Sequence, residues 1–179
     1  MSSIIIGIDA VKNSIRNVPN FPKEGIQFKD VSTAFKDQQI FKYIVTELRN
    51  KYIACGITKV VGIESRGFIL GSILAGELEA GFVPIRKPGK LPSETFVQSY
   101  DLEYGSDSLE IHTDALDGDD VVLIHDDLLA TGGTVNAAVD LVRKFGVTKI
   151  YVNFFVELDF LCGRERIAKD INVWSLIHY

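Results

Sequence analysis

The chain has 179 residues, 46% hydrophobic and 24% charged, which suits one sizeable core and excludes two ordinary domains, so a single domain over 1–179 is expected. A net charge of −5 and a pI near 5.2 argue against a nucleic-acid or anionic-membrane surface while leaving room for a local basic site. Residues 4–8 lack the basic lead and cleavage site of a signal peptide, and no stretch approaches the ~20 apolar residues of a membrane span, so a cytoplasmic protein is expected.

Ile8, Val11, Ile15 and Val18 mark one face of a short amphipathic helix that Pro19 should end. Residues 21–31 contain Pro22 and Gly25 without a clean period and predict an ordered loop, in which Phe28, taken alone, is a core aromatic. Asp37 is placed to cap a helix in which Phe41, Ile44, Val45, Leu48 and Tyr52 recur at three and four residues, ending at Gly56. Cys55, at its end, and Cys162 have neither a disulfide framework nor metal-site spacing and are expected as buried thiols. Residues 59–63 (KVVGI) predict a strand, and 68–78 a helix that is apolar almost all round.

Between that strand and helix stand Glu64, Ser65, Arg66 and Gly67. An arginine at the carboxyl end of a parallel strand, beside a glycine and a helix start, suits an anion such as a diphosphate; the alternative is an ordinary surface ion pair. Residues 82–86 give another strand, and the chain then turns polar over 87–104, with Pro88, Gly89 and Pro92. Eighteen residues without clear structure suggest a functional lid over 87–104, or else a solvated hairpin extension. Lys87 and Lys90 carry charge suited to a diphosphate, and Glu103 and Tyr104 stand at the far end of the segment. Residues 108–112 return as a strand, and 117–119 form a turn.

Three signals meet over 121–134, VVLIHDDLLATGGT. Val121, Val122, Leu123 and Ile124 form an unbroken apolar run suited to a strand buried on both faces. Asp126 and Asp127 follow at its carboxyl end, where open α/β sheets place their ligands, and His125 is a strand-end polar residue. After Ala130, Thr131, Gly132, Gly133 and Thr134, apolar positions 135, 138, 139, 142 and 145 repeat as a helix closed by Gly146. A helix N-terminus with two glycines offers backbone N–H groups to an anion, and paired aspartates accept hydrogen bonds from a vicinal diol such as that of ribose, so a sugar phosphate fits. No triphosphate-binding Gly-x-x-x-x-Gly-Lys-Ser/Thr and no Gly-x-Gly-x-x-Gly occurs.

Residues 149–156 (KIYVNFFV) predict a further strand, Asp159 a cap for a helix running towards Lys169, and the tail 172–179 an edge strand. The fold class is α/β: strands alternating with helices in a parallel sheet, with two additional segments, an N-terminal one and a lid.

The 121–134 motif resembles the ribose-phosphate motif of the type I phosphoribosyltransferases, and its form DDLLATGGT looks like the adenine-using branch of that family. Residues 21–30 (FPKEGIQFKD), 64–71 (ESRGFILG) and 86–112 (RKPGKLPSETFVQSYDLEYGSDSLEIH) resemble that branch in the expected order. The resemblance implies a central parallel sheet flanked by helices, an N-terminal hood over about 19–35 and a flexible lid over 87–104. It implies transfer of the phosphoribosyl group of 5-phosphoribosyl 1-diphosphate to adenine, giving AMP and diphosphate, with Mg2+, in a cytoplasmic homodimer that engages neither nucleic acid nor membrane. Phe28 would stack on the purine and the backbone around Gln27 and Lys29 would meet its edge. Asp126 and Asp127 would hold the ribose, and Ala130, Thr131, Gly132, Gly133 and Thr134 the 5′-phosphate. Ser65, Arg66, Lys87 and Lys90 would take the diphosphate, Glu103 would handle the proton at the base, and Tyr104 belongs to the lid. Magnesium would be held through substrate and water, with no protein ligand assigned. Lys29, Glu24 and His125 depart from the usual arginine, proline and aliphatic residue. Within the same fold, 6-oxopurine enzymes place a lysine after the last core strand, where residues 154–158 (FFVEL) have none, and some regulators keep the phosphate loop without catalysis.

Overall fold

The computed structural model describes residues 6–101 and 105–179. Its contacts divide into two compact units, Met1–Leu48 and Arg49–Tyr179.

In the first unit, α1 (Ile8–Ser14) is shorter than the helix predicted over 8–18, because Ile15 is extended and leads into β1 (Arg16–Pro19). β2 (Gln27–Asp30) pairs antiparallel with β1, so part of the predicted loop is a strand. The turn between them closes on Asn20, whose N–H donates to the Ile26 carbonyl at 2.7 Å and whose Oδ1 accepts the Gly25 N–H at 2.9 Å. Arg16 Nη2 reaches Asp30 Oδ2 at 2.5 Å across the pair. Such pairing is set by cross-strand partners, which local periodicity does not encode. α2 (Ser32–Phe35) follows, and then α3 (Gln38–Tyr52), which continues into the second unit. Asp37 Oδ1 accepts the Gln39 and Ile40 N–H groups at 2.9 and 3.0 Å, the predicted cap.

The second unit contains β3 (Lys59–Ile63), α4 (Gly67–Glu77), β4 (Gly81–Ile85), β5 (Thr95–Asp101), β6 (Ser106–His112), β7 (Val121–Leu129), α5 (Gly133–Arg143), β8 (Lys149–Glu157) and β9 (Asn172–His178). Five strands form a parallel sheet in the order β4-β3-β7-β8-β9, with β9 at the edge as predicted. Its α5 face builds the core from Val61, Ile63, Val122, Ile124, Val152 and Phe154 against Val135, Ala138 and Val142. Each such aliphatic side chain contributes about 1.5–3 kcal/mol on burial, which explains why the unbroken apolar runs occupy the middle of the sheet.

Further expectations are corrected in the second unit. β7 does not end before the aspartates but continues through them to Leu129, paired with β8 at Asp126↔Phe154 and Leu128↔Val156. The segment 87–104 is not structureless, since 95–101 form β5, paired antiparallel with β6 from Thr95↔His112 to Asp101↔Ser106. In place of a helix from Asp159 there are two short 3₁₀ turns, Asp159–Leu161 and Gly163–Arg166, separated by Cys162 in a left-handed conformation that an α-helix cannot carry. Cys55 is half-buried and Cys162 exposed, neither in a disulfide, because both fall in the turns that end helical segments. Among the described residues no helix is long and apolar enough to cross a membrane.

Candidate active site

From β3 the chain crosses to β4 on one side, and β7 lies on the other side of β3, so strand order reverses between β3 and β7. An open parallel sheet leaves a crevice at such a point, beyond the carboxyl ends of the strands. Here the crevice is a cavity of about 380 Å³ lined by Glu64, Ser65, Arg66, Lys87, Tyr100, Asp126, Asp127, Leu128, Ala130 and Thr134. The β3 end supplies the first three, and the Glu64–Ser65 peptide there is cis. α4 is drawn close over β7, since a Cβ at Gly67 would stand 2.9 Å from the His125 carbonyl oxygen and 3.0 Å from Asp126 Oδ1. A larger residue at 67 would force this close approach of α4 to β7 to open.

Charge is concentrated and paired in this crevice. Arg66 Nε lies 2.9 Å from Asp127 Oδ2, an ion pair whose acid is buried. Asp126 Oδ1 accepts the Asp127 N–H at 2.8 Å. Asp126 opens partly on the cavity but is closely surrounded by protein. Burial, and then repulsion from Asp127, push its carboxyl well above the usual range. Burial also raises Asp127, with Arg66 opposing it. Glu64 is the opposite case: burial works against its charge, yet hydrogen bonds from Lys90 Nζ (2.5 Å), the Lys87 N–H (2.9 Å) and Arg86 Nη2 (3.4 Å) hold it at about 2. His125 is wholly buried inside β7, not a strand-end residue, and its Nδ1 meets Asn153 Oδ1 of β8 at 2.8 Å. Burial brings it down to about 4 despite that hydrogen bond, so it is neutral at pH 7.

The loop after β7 frames a second, smaller cavity of about 80 Å³, lined by Asp126, Leu128, Leu129, Ala130, Thr131, Gly132, Thr134, Val135 and Phe154. Gly132 has φ +86, and a Cβ there would stand 2.5 Å from the Gly163 carbonyl oxygen, so side chain and conformation both exclude other residues. Gly133 then opens α5, whose free N–H groups face the loop. Asn136 Nδ2 donates to the Arg166 carbonyl at 2.7 Å, tying α5 to the same 3₁₀ turn that backs the loop.

Thus Ser65, Arg66, Lys87, Asp126, Asp127, Ala130, Thr131, Gly132 and Thr134 line two cavities that share Asp126, Leu128, Ala130 and Thr134. Lys90 reaches the crevice through Glu64. Gln27, Phe28 and Lys29 lie together on β2 in the first unit, with Phe28 half-buried and edge-on to Phe21 at 5.1 Å. Glu103 and Tyr104 lie outside the described residues. Three residues carry more than their sequence positions indicate: Glu64, which gathers three donors; Asp107, which holds Lys87; and Gly163, which backs the loop after β7. Glu64 stands in a motif with its own signal, whereas the partners of Asp107 and Gly163 are distant in sequence.

The phosphoribosyl transferase domain model matches residues 32–177, and the chain belongs to that family. An adenine phosphoribosyltransferase of Bacteroides thetaiotaomicron is 53% identical over 174 residues, covering 97% of this chain and 99% of the relative. One of Geobacter metallireducens is 53% identical over 172 residues, covering 96% and 100%. The crystal structure of adenine phosphoribosyltransferase from Thermoanaerobacter pseudethanolicus superposes with a TM-score of 0.93 at 44% identity, covering 97% of this chain and 100% of that one. The Giardia lamblia enzyme complexed with 9-deazaadenine gives 0.93 at 40% identity, covering 97% and 98%. Within the family the chain groups with the adenine phosphoribosyltransferases, and its fold is the type I fold.

Proposed function

We propose that the protein transfers the phosphoribosyl group of 5-phosphoribosyl 1-diphosphate to N9 of adenine, forming AMP and diphosphate. The observation that carries this is the Asp126–Asp127 pair set against Arg66 on one cavity, beside the Ala130 to Thr134 loop at the start of α5. The aspartates accept hydrogen bonds from the ribose hydroxyls. The loop N–H groups and the Thr131 and Thr134 hydroxyls take the 5′-phosphate. Ser65, Arg66, Lys87 and Lys90 receive the diphosphate. As the C1′–O bond to diphosphate breaks, positive charge develops at C1′, the C1′–N9 bond forms and the N9 proton leaves. Buried carboxylates close to that carbon are worth most in a site from which water is excluded. Glu103 takes the proton-handling role, Tyr104 belongs to the closing lid over 87–104, and Gln27, Phe28 and Lys29 in the hood recognise the base.

Magnesium binds oxygen ligands and keeps much of its water. The carboxylates of Asp126 and Asp127 on the cavity are oxygen ligands of that type, so the residues fit the ion and would hold it through its waters. When bound with the donor, it offsets diphosphate charge. We also propose a homodimer, checked by sedimentation of the purified protein.

The test is base selectivity. With the donor and magnesium, adenine is expected to be used at least about a hundredfold more efficiently than hypoxanthine, on the order of 3 kcal/mol. Equal use of the two bases would refute the assignment, as would donor binding without turnover of any base.

A further inference from the structure

The three cations assigned to the diphosphate each face an acid: Arg66 meets Asp127, Lys90 meets Glu64 and Lys87 meets Asp107. Asp127 and Glu64 line the crevice themselves. Asp107 does not. It stands on β6, directly across from Tyr100 of β5.

Lys87 is held at two levels. Its main-chain N–H donates to Glu64 Oε2 at 2.9 Å, which fixes where the side chain begins. Its ammonium donates to Asp107 Oδ2 and, at 3.0 Å, to the Tyr100 hydroxyl, and sits 5.4 Å from the Tyr100 ring centroid. Tyr100 in turn donates to the same Asp107 oxygen at 3.3 Å, and Asp107 Oδ1 accepts the Ser108 N–H at 2.8 Å. The hairpin therefore holds a carboxylate and a hydroxyl in place for the lysine. Burial opposes the Lys87 charge, but the bonds to Asp107 and Tyr100 raise it, and the bond from Lys87 lowers Asp107, so both stay ionised near neutral pH. Lysine suits a mobile contact because its compact charge rides on a flexible four-carbon stem.

We infer that Asp107, with Tyr100, is a positioning residue that holds the Lys87 ammonium on the β5–β6 hairpin, so that the diphosphate of the donor must draw it away from a carboxylate. This rests on the diphosphate role of Lys87 proposed above. Asp107 then competes with the substrate, and its removal strengthens donor binding, the opposite of what loss of a supporting contact would do. The same competition helps the product diphosphate leave, because the departing ammonium has a carboxylate to return to.

Calorimetry with 5-phosphoribosyl 1-diphosphate and magnesium, and with inorganic diphosphate and magnesium, tests this on the parent protein, Asp107→Asn, Lys87→Met and the double variant. Asp107→Asn is expected to bind both ligands about twofold to fivefold more tightly, the range of a partly exposed ion pair, with kcat no higher than the parent's. Tyr100→Phe shifts affinity the same way by less. In the Lys87→Met background the Asp107 effect disappears. Unchanged or weaker binding by Asp107→Asn, where Lys87→Met still weakens it, overturns the inference and leaves the diphosphate role standing. Unchanged binding by Lys87→Met overturns both.

Discussion

Asp127 is subject to two opposed influences, burial that disfavours its charge and an arginine 2.9 Å away that favours it. In the role proposed for it, acceptor for a ribose hydroxyl, it depends on that charge. Asp127→Asn keeps the shape and loses a charge-assisted hydrogen bond, so donor binding is expected to weaken by about 1.5–3 kcal/mol. Initial-rate measurements against donor concentration check this, and unchanged donor kinetics in a folded variant would remove the ribose role. Glu103 is the group proposed to handle the proton that leaves N9. A positioned general acid or base contributes ~100-fold to 10,000-fold in rate, so Glu103→Gln is expected to lower kcat by about a hundredfold or more with little change in donor affinity. A single-turnover rate within about threefold of the parent's would show that the proton is handled elsewhere.

At the scale of elements, the loop between β7 and α5 depends on backbone meeting backbone. Gly132→Ala adds a methyl 2.5 Å from the Gly163 carbonyl and forces an alanine to φ +86. The loop has to move, and the expected outcome is about a tenfold or greater loss of donor affinity together with a lower Tm, as such strain costs about 1–3 kcal/mol. Donor titration and thermal unfolding measure the two effects, and a variant that matches the parent in both would refute the account. This loop was legible in the sequence because strand, acids, glycines and helix are consecutive, so local rules suffice. The alternation of strands and helices, the Asp37 cap and the edge strand were legible for the same reason. The β1–β2 and β5–β6 pairings were not, since each depends on cross-strand partners, and neither was the reach of β7 through its two aspartates, where pairing to β8 overrides the usual preference of charge for a strand end. The contacts of Glu64 with Lys90 and of Lys87 with Asp107 span 26 and 20 positions, beyond any local pattern.

For the whole molecule, His125 links folding to pH. Buried at about 4, it stays neutral in the folded chain, while the unfolded chain takes up a proton near 6.5. A folded pKa below the unfolded one means that this stability is fully present above about 6.5 and is lost as pH falls towards 4. Relative to a His125→Leu variant, the parent is expected to lose about 1.4 kcal/mol per pH unit across that window. Denaturant unfolding of both proteins at pH 7, 6 and 5 gives the comparison, and a constant difference between them would show that His125 does not titrate with folding. The comparison is needed because carboxylates move in both directions, Asp126 upwards and Glu64 downwards.

Asp126 and Asp127 lie within β7, in register with β8 on either side of Asp127, and not on a loop. In the roles proposed above, the ribose hydroxyls would meet side chains anchored by main-chain pairing to a neighbouring strand, whereas the diphosphate would meet Lys87 and Lys90 on long flexible stems as well as Ser65 and Arg66 at the end of β3. The sheet would then keep the sugar in register while the two lysine stems follow the departing group.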